Sequence, residues 1–316
     1  MNDPRSQNLR SIEQLVTGIR GLRKPIQSLA DRLRLALRDL EPTLAKFSLS
    51  PRYWTLVAHT DGLVRVRLFT EQNFNYIESL GLLSVTRYLF ELVLWFKLME
   101  QDERYGLVYY HELLEKQRRY YTDYRDHLTR EILLLKAFGD EEQRLMTDRL
   151  EKAGSIPKPA VGTEGMRHAF ADVSKYIDDK VARAFTLYGE QARTNGYGLQ
   201  ADLVERKVLP DINESVNVVD AECRKLNKAL PADVRALVPE RWNWRALASK
   251  VGMVDEYDFI YTYTSRLLHA TPASLTTDKK NLEPDEVRVF LHYCHVRMLD
   301  VIDMAAARLR ETSLPS

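Results

Sequence analysis

Cysteine is almost missing from the 316 residues: Cys223 and Cys294 are the only two. Two thiols cannot build a disulfide framework, so the fold must be held by its core, and the pair fits a reducing cytosol. Gly (13) and Pro (12) are scarce as well, which leaves too few turn residues for the many reversals of an all-β fold. An excess of one charge is also lacking. The formal net charge is +1, so a nucleic-acid or membrane partner must be argued from local clusters. The most apolar stretch, LGLLSVTRYLFELVLWFKLM, is interrupted by Arg87, Glu91 and Lys97. Crossing a bilayer takes roughly 20 apolar residues, so no transmembrane helix is expected. The opening MNDPRSQNLR is polar and lacks the apolar centre of a secretory leader. P-loops, Gly-rich dinucleotide turns, Gly-x-Ser-x-Gly elbows and Cys-x2-Cys pairs are all missing. That argues against NTPases, Rossmann enzymes and α/β-hydrolases. The expectation is a cytoplasmic protein with no membrane partner and no cofactor.

What is present is helical periodicity. Hydrophobic residues at 45% and charged residues at 29% are the mixture of a globular chain. From residue 8 to 47, Ile12, Ile19, Ile26, Leu33 and Leu40 lie seven apart, with Leu15, Leu22, Leu29 and Ala36 in the second apolar position. This is an a/d seam, on one helix or on a hairpin. Pro25 interrupts it, either as a kink or as the start of a second helix, and Gly18 and Gly21 weaken its first half. The flanking e and g positions carry few matched charges, so the seam fits packing within the chain as well as an oligomer or partner contact. SLSPRYW breaks the helix after residue 47. Further helices are expected over 71–100, 105–152 with a turn at FGDEEQ, 164–189, from Pro210 to about Leu226, in RWNWRALASKVGM ending at Gly252, over 254–270 and over 284–311. AGSIPKPAVGTEG, near 153–165, reads as a linker. No segment alternates with period two. The fold class is therefore all-α, largely an antiparallel bundle. Residues 1–47 form an N-terminal helical arm, and 48–316 form the bundle domain, whose core joins residues 71–152 to 240–311.

Two polar patterns lie inside apolar surroundings. Arg87 and Glu91 are four apart in TRYLFELVLW, so they share one helical face among Leu89, Phe90, Val93 and Trp95. A buried charge costs several kcal/mol unless it is paired, and a guanidinium has five donors to satisfy. In YDFIYTYTSRLLHATPASL, Tyr257, Tyr261, Ser265 and His269 recur every fourth residue and form a polar stripe. The two patterns are expected to meet.

These same stretches, with Trp242 or Trp244, Gly252 and Pro272, resemble an uncharacterised bacterial family of helical proteins, a domain of unknown function. The resemblance covers roughly 80–105 and 240–275. It implies that these positions form the shared centre of the fold, and it implies no reaction.

Two functions follow from this centre. In one, Arg87, Glu91, Tyr261 and His269, with Tyr257 and Ser265 on the same stripe, form a buried network that fixes helix register in a protein-interaction module. In the other, His269, Arg87 and Glu91 are catalytic. A neutral imidazole takes the proton of a 2′-hydroxyl, a guanidinium holds a phosphate oxygen and a carboxylate orients the imidazole. That chemistry is similar to that of the helical HEPN-type ribonucleases of toxin and phage-defence systems, which place an Arg and a His on one helix with four to six residues between them. Arg104 to His111 and Arg288 to His295 fit this spacing.

Two further clusters stand out. EKQRRYYTDYRDHLTRE interleaves Lys116, Arg118, Arg119 and Arg125 with Tyr120 and Tyr121, the residue types that grip RNA. Acidic residues alternate with them, as on any solvated helix. His292 and His295 are three apart, beside Cys294, but two ligands do not make a metal site.

Overall fold

The structure, a computed structural model, describes residues 4–40, 49–71, 79–154, 163–240, 242–268 and 282–313. Every regular element among them is helical, and the fold is an all-α helical bundle. No described helix is long and apolar enough to cross a membrane. The chain divides into two compact units, Met1–Glu112 with Leu226–Ser316, and Leu113–Lys225.

The first unit is built around helix α4 (Ser79–Gln101). Leu89, Phe90, Leu94, Phe96 and Leu98 of α4 are all fully buried, the all-round apolar surface of a helix enclosed by others. It packs against α3 (Pro51–Thr70) and the C-terminal helix α14 (Pro284–Ser313). Ser50 starts α3: its hydroxyl accepts from the Tyr53 amide at 3.2 Å, and Pro51 fills the first helical position.

The N-terminal seam is spent inside this unit. Helix α1 (Pro4–Gly21) lies on α14, and α2 (Arg23–Leu40) lies on α3 and α14. Ile19, Ile26 and Leu33 are fully buried there. The residues expected as an arm, 1–47, therefore contribute to the core through α1 and α2, because α3 and α14 offer the apolar groove that the seam requires. Pro25 splits the helix rather than merely kinking it. The break falls at Leu22, next to Gly21, whose carbonyl lies four residues before Pro25, where the proline ring forbids a helical bond. Gly18 has a packing role: a Cβ there would meet His295 Cε1 of α14 at 3.2 Å.

Helix α5 (Tyr105–Gly154) is continuous for 50 residues and crosses the division between the units. The turn expected at FGDEEQ does not occur. Gly139 is there for close approach, since its Cβ would lie 3.0 Å from the Gly198 amide nitrogen. In the second unit α5 packs on α6 (Thr163–Val181), α7 (Gly189–Asn195) and α8 (Tyr197–Leu203). Leu135, Phe138, Ile177, Val181, Tyr197 and Ala201 form that core. A π turn, Val204–Val208, leads from α8 into α9 (Leu209–Ala229). The linker expected near 153–165 lies partly outside the described residues, at 155–162, and both flanking helices belong to the second unit. The chain leaves and re-enters the first unit through α5 and α9, so the Gly/Pro signal does not mark the unit boundary.

Back in the first unit come α10 (Ala232–Arg235), α11 (Trp244–Lys250), α12 (Val254–Glu256), the π turn Tyr257–Tyr261 and α13 (Thr262–Leu268). Asn243 caps α11 by accepting from the Ala246 amide at 3.1 Å. The expected end at Gly252 is a Schellman turn: Gly252 has φ +71, and the Met253 amide donates to the Ala248 carbonyl at 2.8 Å.

Candidate functional site

Arg87 sits on α4 and meets the π turn. Its Nε donates to Glu91 Oε1 at 3.0 Å, and its Nη2 donates to the Tyr261 hydroxyl at 2.6 Å. The guanidinium carbon also lies 4.2 Å from the centroid of the Tyr261 ring, so cation–π attraction adds to the hydrogen bond. Tyr257 stacks on Tyr261 with centroids 4.7 Å apart, and burial raises its pKa above the ordinary tyrosine value. Among the described residues Arg87 Nη1 has no acceptor, and the side chain keeps 26% of its surface. The centre is thus half-buried, with donor capacity left over.

The π turn changes the expected stripe. Tyr257–Tyr261 is wider than an α turn, so later side chains fall back around the helix axis. Tyr261 stays on Arg87. Ser265 is half-buried and makes no hydrogen bond to Arg87 or Glu91, while Thr264 is fully buried and donates to the Tyr261 carbonyl at 3.2 Å. His269 and Pro272 lie outside the described residues.

The surroundings contain groups that the sequence reading missed. Trp242 stacks on Trp95 at 4.9 Å, and its indole Nε1 is buried without a partner among the described residues. Arg245 holds Asp258 with two 2.9 Å hydrogen bonds, bracing α11 against the π turn. Arg297 of α14 pairs with Glu256 at 2.9 Å and with Asp300, and Tyr293 donates to Glu256 at 2.9 Å. Burial and Glu256 push Tyr293 far above the usual tyrosine range. The signal for this cluster was spacing, since Tyr293, Arg297 and Asp300 share one face of α14. Nothing in the sequence marked Glu256 as their partner.

The two Arg-to-His spacings separate. Arg104 lies in the turn before α5, bound to Asp102 at 2.7 Å and Asp233 at 3.0 Å, while His111 contacts Asn227 at 3.1 Å. Arg288 and His295 both lie on α14, and with His292 they line a cavity of about 320 Å³ beside Ser11 and Gln14 of α1. Burial, then the charge of His292, lower the His295 pKa. Cys294 between them is fully buried against Thr86, and burial pushes its thiol to about 12. Among the described residues no three His, Cys, Asp or Glu side chains could hold a metal ion.

The basic strip lies in the second unit. Lys116, Arg118, Arg119 and Tyr120 are exposed, and Tyr121 and Arg125 are half-exposed. Arg118 is tied to Glu115 at 2.6 Å and Arg125 to Asp126 at 2.9 Å. Tyr120, 63% exposed, packs edge-on against Tyr121. Farther along α5, Glu131 is only 2% exposed. Its Oε1 accepts the amides of Leu187 and Tyr188, both at 2.7 Å, and its Oε2 lies 3.0 Å from His127 Nε2. The loop held this way presents Phe185, 80% exposed, against the edge of the His127 ring.

No protein-family model, curated protein or solved structure matches the chain.

Proposed function

We propose that the chain is a helical protein-interaction module of the cytoplasm. Its Arg87–Glu91–Tyr261 centre sets the register of α4 against the π turn, and the second unit carries the docking surface. The carrying observation is Phe185. Phe185 is the most exposed of the large apolar side chains among the described residues, and it is held out by a loop that a buried carboxylate clamps. A rigid exposed aromatic has the properties of an interface anchor, because little ordering entropy remains to be lost on binding. The free, buried Cys223 and Cys294 suit a reducing compartment. The test places a photo-crosslinking amino acid at position 185 in the source cell. A discrete protein adduct, missing when the reporter is moved to exposed Glu190, supports the reading. No adduct at 185 sinks it.

A second reading, an RNA-cleaving effector of the HEPN type, is favoured by one observation: Arg288 and His295 share a cavity. A neutral His295 would take the 2′-hydroxyl proton and Arg288 would hold the phosphate. Inducible expression of wild type, His269→Ala and His295→Ala, with total RNA and soluble protein measured, decides it. RNA fragments made by wild type and lost in one equally soluble variant assign the base. Intact RNA throughout rejects the effector reading.

A further inference from the structure

Helix α1 rests chiefly on α14, and the helix breaks at Leu22, just beyond the end of α1. Its buried apolar contacts are Val16 and Ile19, 3% and 0% exposed. The Leu22 amide donates to the Ile19 carbonyl at 3.1 Å, and α2 starts at Arg23, so α1 ends in a joint. Helix α2 has its own footing on α3 and α14, where Ile26, Leu29 and Leu33 are buried. The N-terminal seam is thus divided into two separately seated pieces.

The seat of α1 is an imidazole. A Cβ at Gly18 would stand 3.2 Å from His295 Cε1 and 3.4 Å from its Nε2, so the ring edge faces the α1 backbone. His295 is half-buried and His292 is exposed. Both line the 320 Å³ cavity with Arg288, against Ser11, Gln14 and Leu15 of α1, and no lining residue is a carboxylate. Neither imidazole makes a hydrogen bond or ion pair among the described residues. The charged groups on the surrounding helices lie elsewhere. Asp285 meets Arg288 at 3.8 Å, Arg23 of α2 pairs with Glu71 at 3.3 Å, and Arg10, Glu13 and Arg20 of α1 are exposed. Burial, then the charge of His292, lower the His295 pKa, and no carboxylate acts on it in the opposite direction.

We propose that α1 is an acid-released latch on α14. Protonation of His292 and His295 sets two positive charges beside Arg288, under a helix that brings no carboxylate to the cavity, and α1 swings off at the Gly21–Leu22 joint. The release uncovers Val16 and Ile19 and the face of α14 beneath them, while α2 stays in place. The direction follows from linkage. A seated α1 makes His295 refuse a proton that a free histidine accepts. Its docking is therefore fully supported above the ordinary histidine value of 6.5 and is lost as the pH falls below it.

The experiment is hydrogen exchange of the full chain, read by mass spectrometry at about pH 7.5 and about pH 5.5, on either side of the ordinary histidine value. Rates are divided by the chemical exchange rate at each pH, and the amides of α1 are compared with those of α2. On acidification, protection of α1 should fall by about 3-fold or more beyond any fall in α2. His295→Gln stays neutral and should abolish this excess. His292→Gln changes an exposed residue and should reduce it, since it removes the like charge. Equal protection of α1 at both pH values overturns the proposal. So does a fall that α1 and α2 share equally, which belongs to the whole unit, or an excess that persists in His295→Gln. If His295→Gln already unseats α1 at the higher pH, His292→Gln decides, and an excess as large as that of wild type overturns the latch.

Discussion

Arg87 uses two faces of one tyrosine: its Nη2 donates to the Tyr261 hydroxyl at 2.6 Å while its carbon lies 4.2 Å from the ring centroid. The two contributions separate by mutation. Tyr261→Phe keeps the ring and removes the acceptor, and should cost about 1 kcal/mol. Arg87→Met removes both and strips Glu91 of its Nε donor. At a quarter exposed, the pair is partly screened, so the expected cost is about 1–2 kcal/mol. The double variant should be less destabilised than the sum, with a coupling of about 0.5 kcal/mol or more. Denaturant unfolding followed by tryptophan fluorescence reads this directly, because all four tryptophans, 54, 95, 242 and 244, lie in the first unit. Additive effects would show that the two residues do not cooperate.

What could be read from the sequence follows from which forces are local. The all-α class and the Gly252 terminus are set by neighbours within a few residues, and those readings match, whereas α3 (Pro51–Thr70) was not among the expected helices. The meeting of Arg87 with Tyr261 was legible because charged groups in apolar company must find partners. Helix continuity through Gly139 was not, because the reason for that glycine lies in the backbone at Gly198, far along the chain. The unit boundary was hidden for a related reason. It falls inside α5 and α9, where helical periodicity continues unbroken, while the visible Gly/Pro segment joins two helices of one unit. Ser265 was placed on the stripe by an α period that the π turn does not keep. Glu256, Arg297 and His59 read as ordinary members of helical faces, since nothing local shows which neighbour buries them.

Gly18 offers a test of how closely α1 lies on α14. Alanine in place of glycine within a helix normally stabilises by about 1 kcal/mol. Here the added methyl would stand 3.2 Å from His295 Cε1, so the imidazole must move by a few tenths of an ångström. Gly18→Ala should therefore gain less than that amount, and Gly18→Val should lose about 1–3 kcal/mol through overpacking. Thermal unfolding of both variants checks it. A stabilised Gly18→Val would mean that α1 stands farther from α14.

Glu131 is the clamp of the Phe185 loop. Glu131→Ala leaves the part-buried amides of Leu187 and Tyr188 without their acceptor, and should cost about 1–3 kcal/mol in all. Glu131→Gln keeps an oxygen for those amides, so its loss should be clearly smaller. Limited proteolysis should cut Glu131→Ala within residues 182–188 faster than wild type, with Glu131→Gln in between. Equal cleavage of all three would show that the loop is held by other contacts.

His59 should make the first unit acid-sensitive in a window set by its own shift. Burial lowers its pKa from 6.5 to about 4, and the positive charge of Arg308 acts in the same direction. Between these values the unfolded chain binds a proton that the folded chain refuses. Stability linked to this group is therefore full above pH 6.5 and declines as the pH falls toward 4. A shift of this size corresponds to roughly 3 kcal/mol. His59→Phe keeps an aromatic ring beside Phe96 and removes the titration. Its stability should fall less steeply than that of wild type between pH 6.5 and 4, and the two slopes should coincide above pH 7. Carboxylates such as Glu100 titrate in both proteins, so the difference in slope isolates His59. Parallel curves through the whole range would mean that the folded protein accepts the proton, which requires an acceptor facing Nε2.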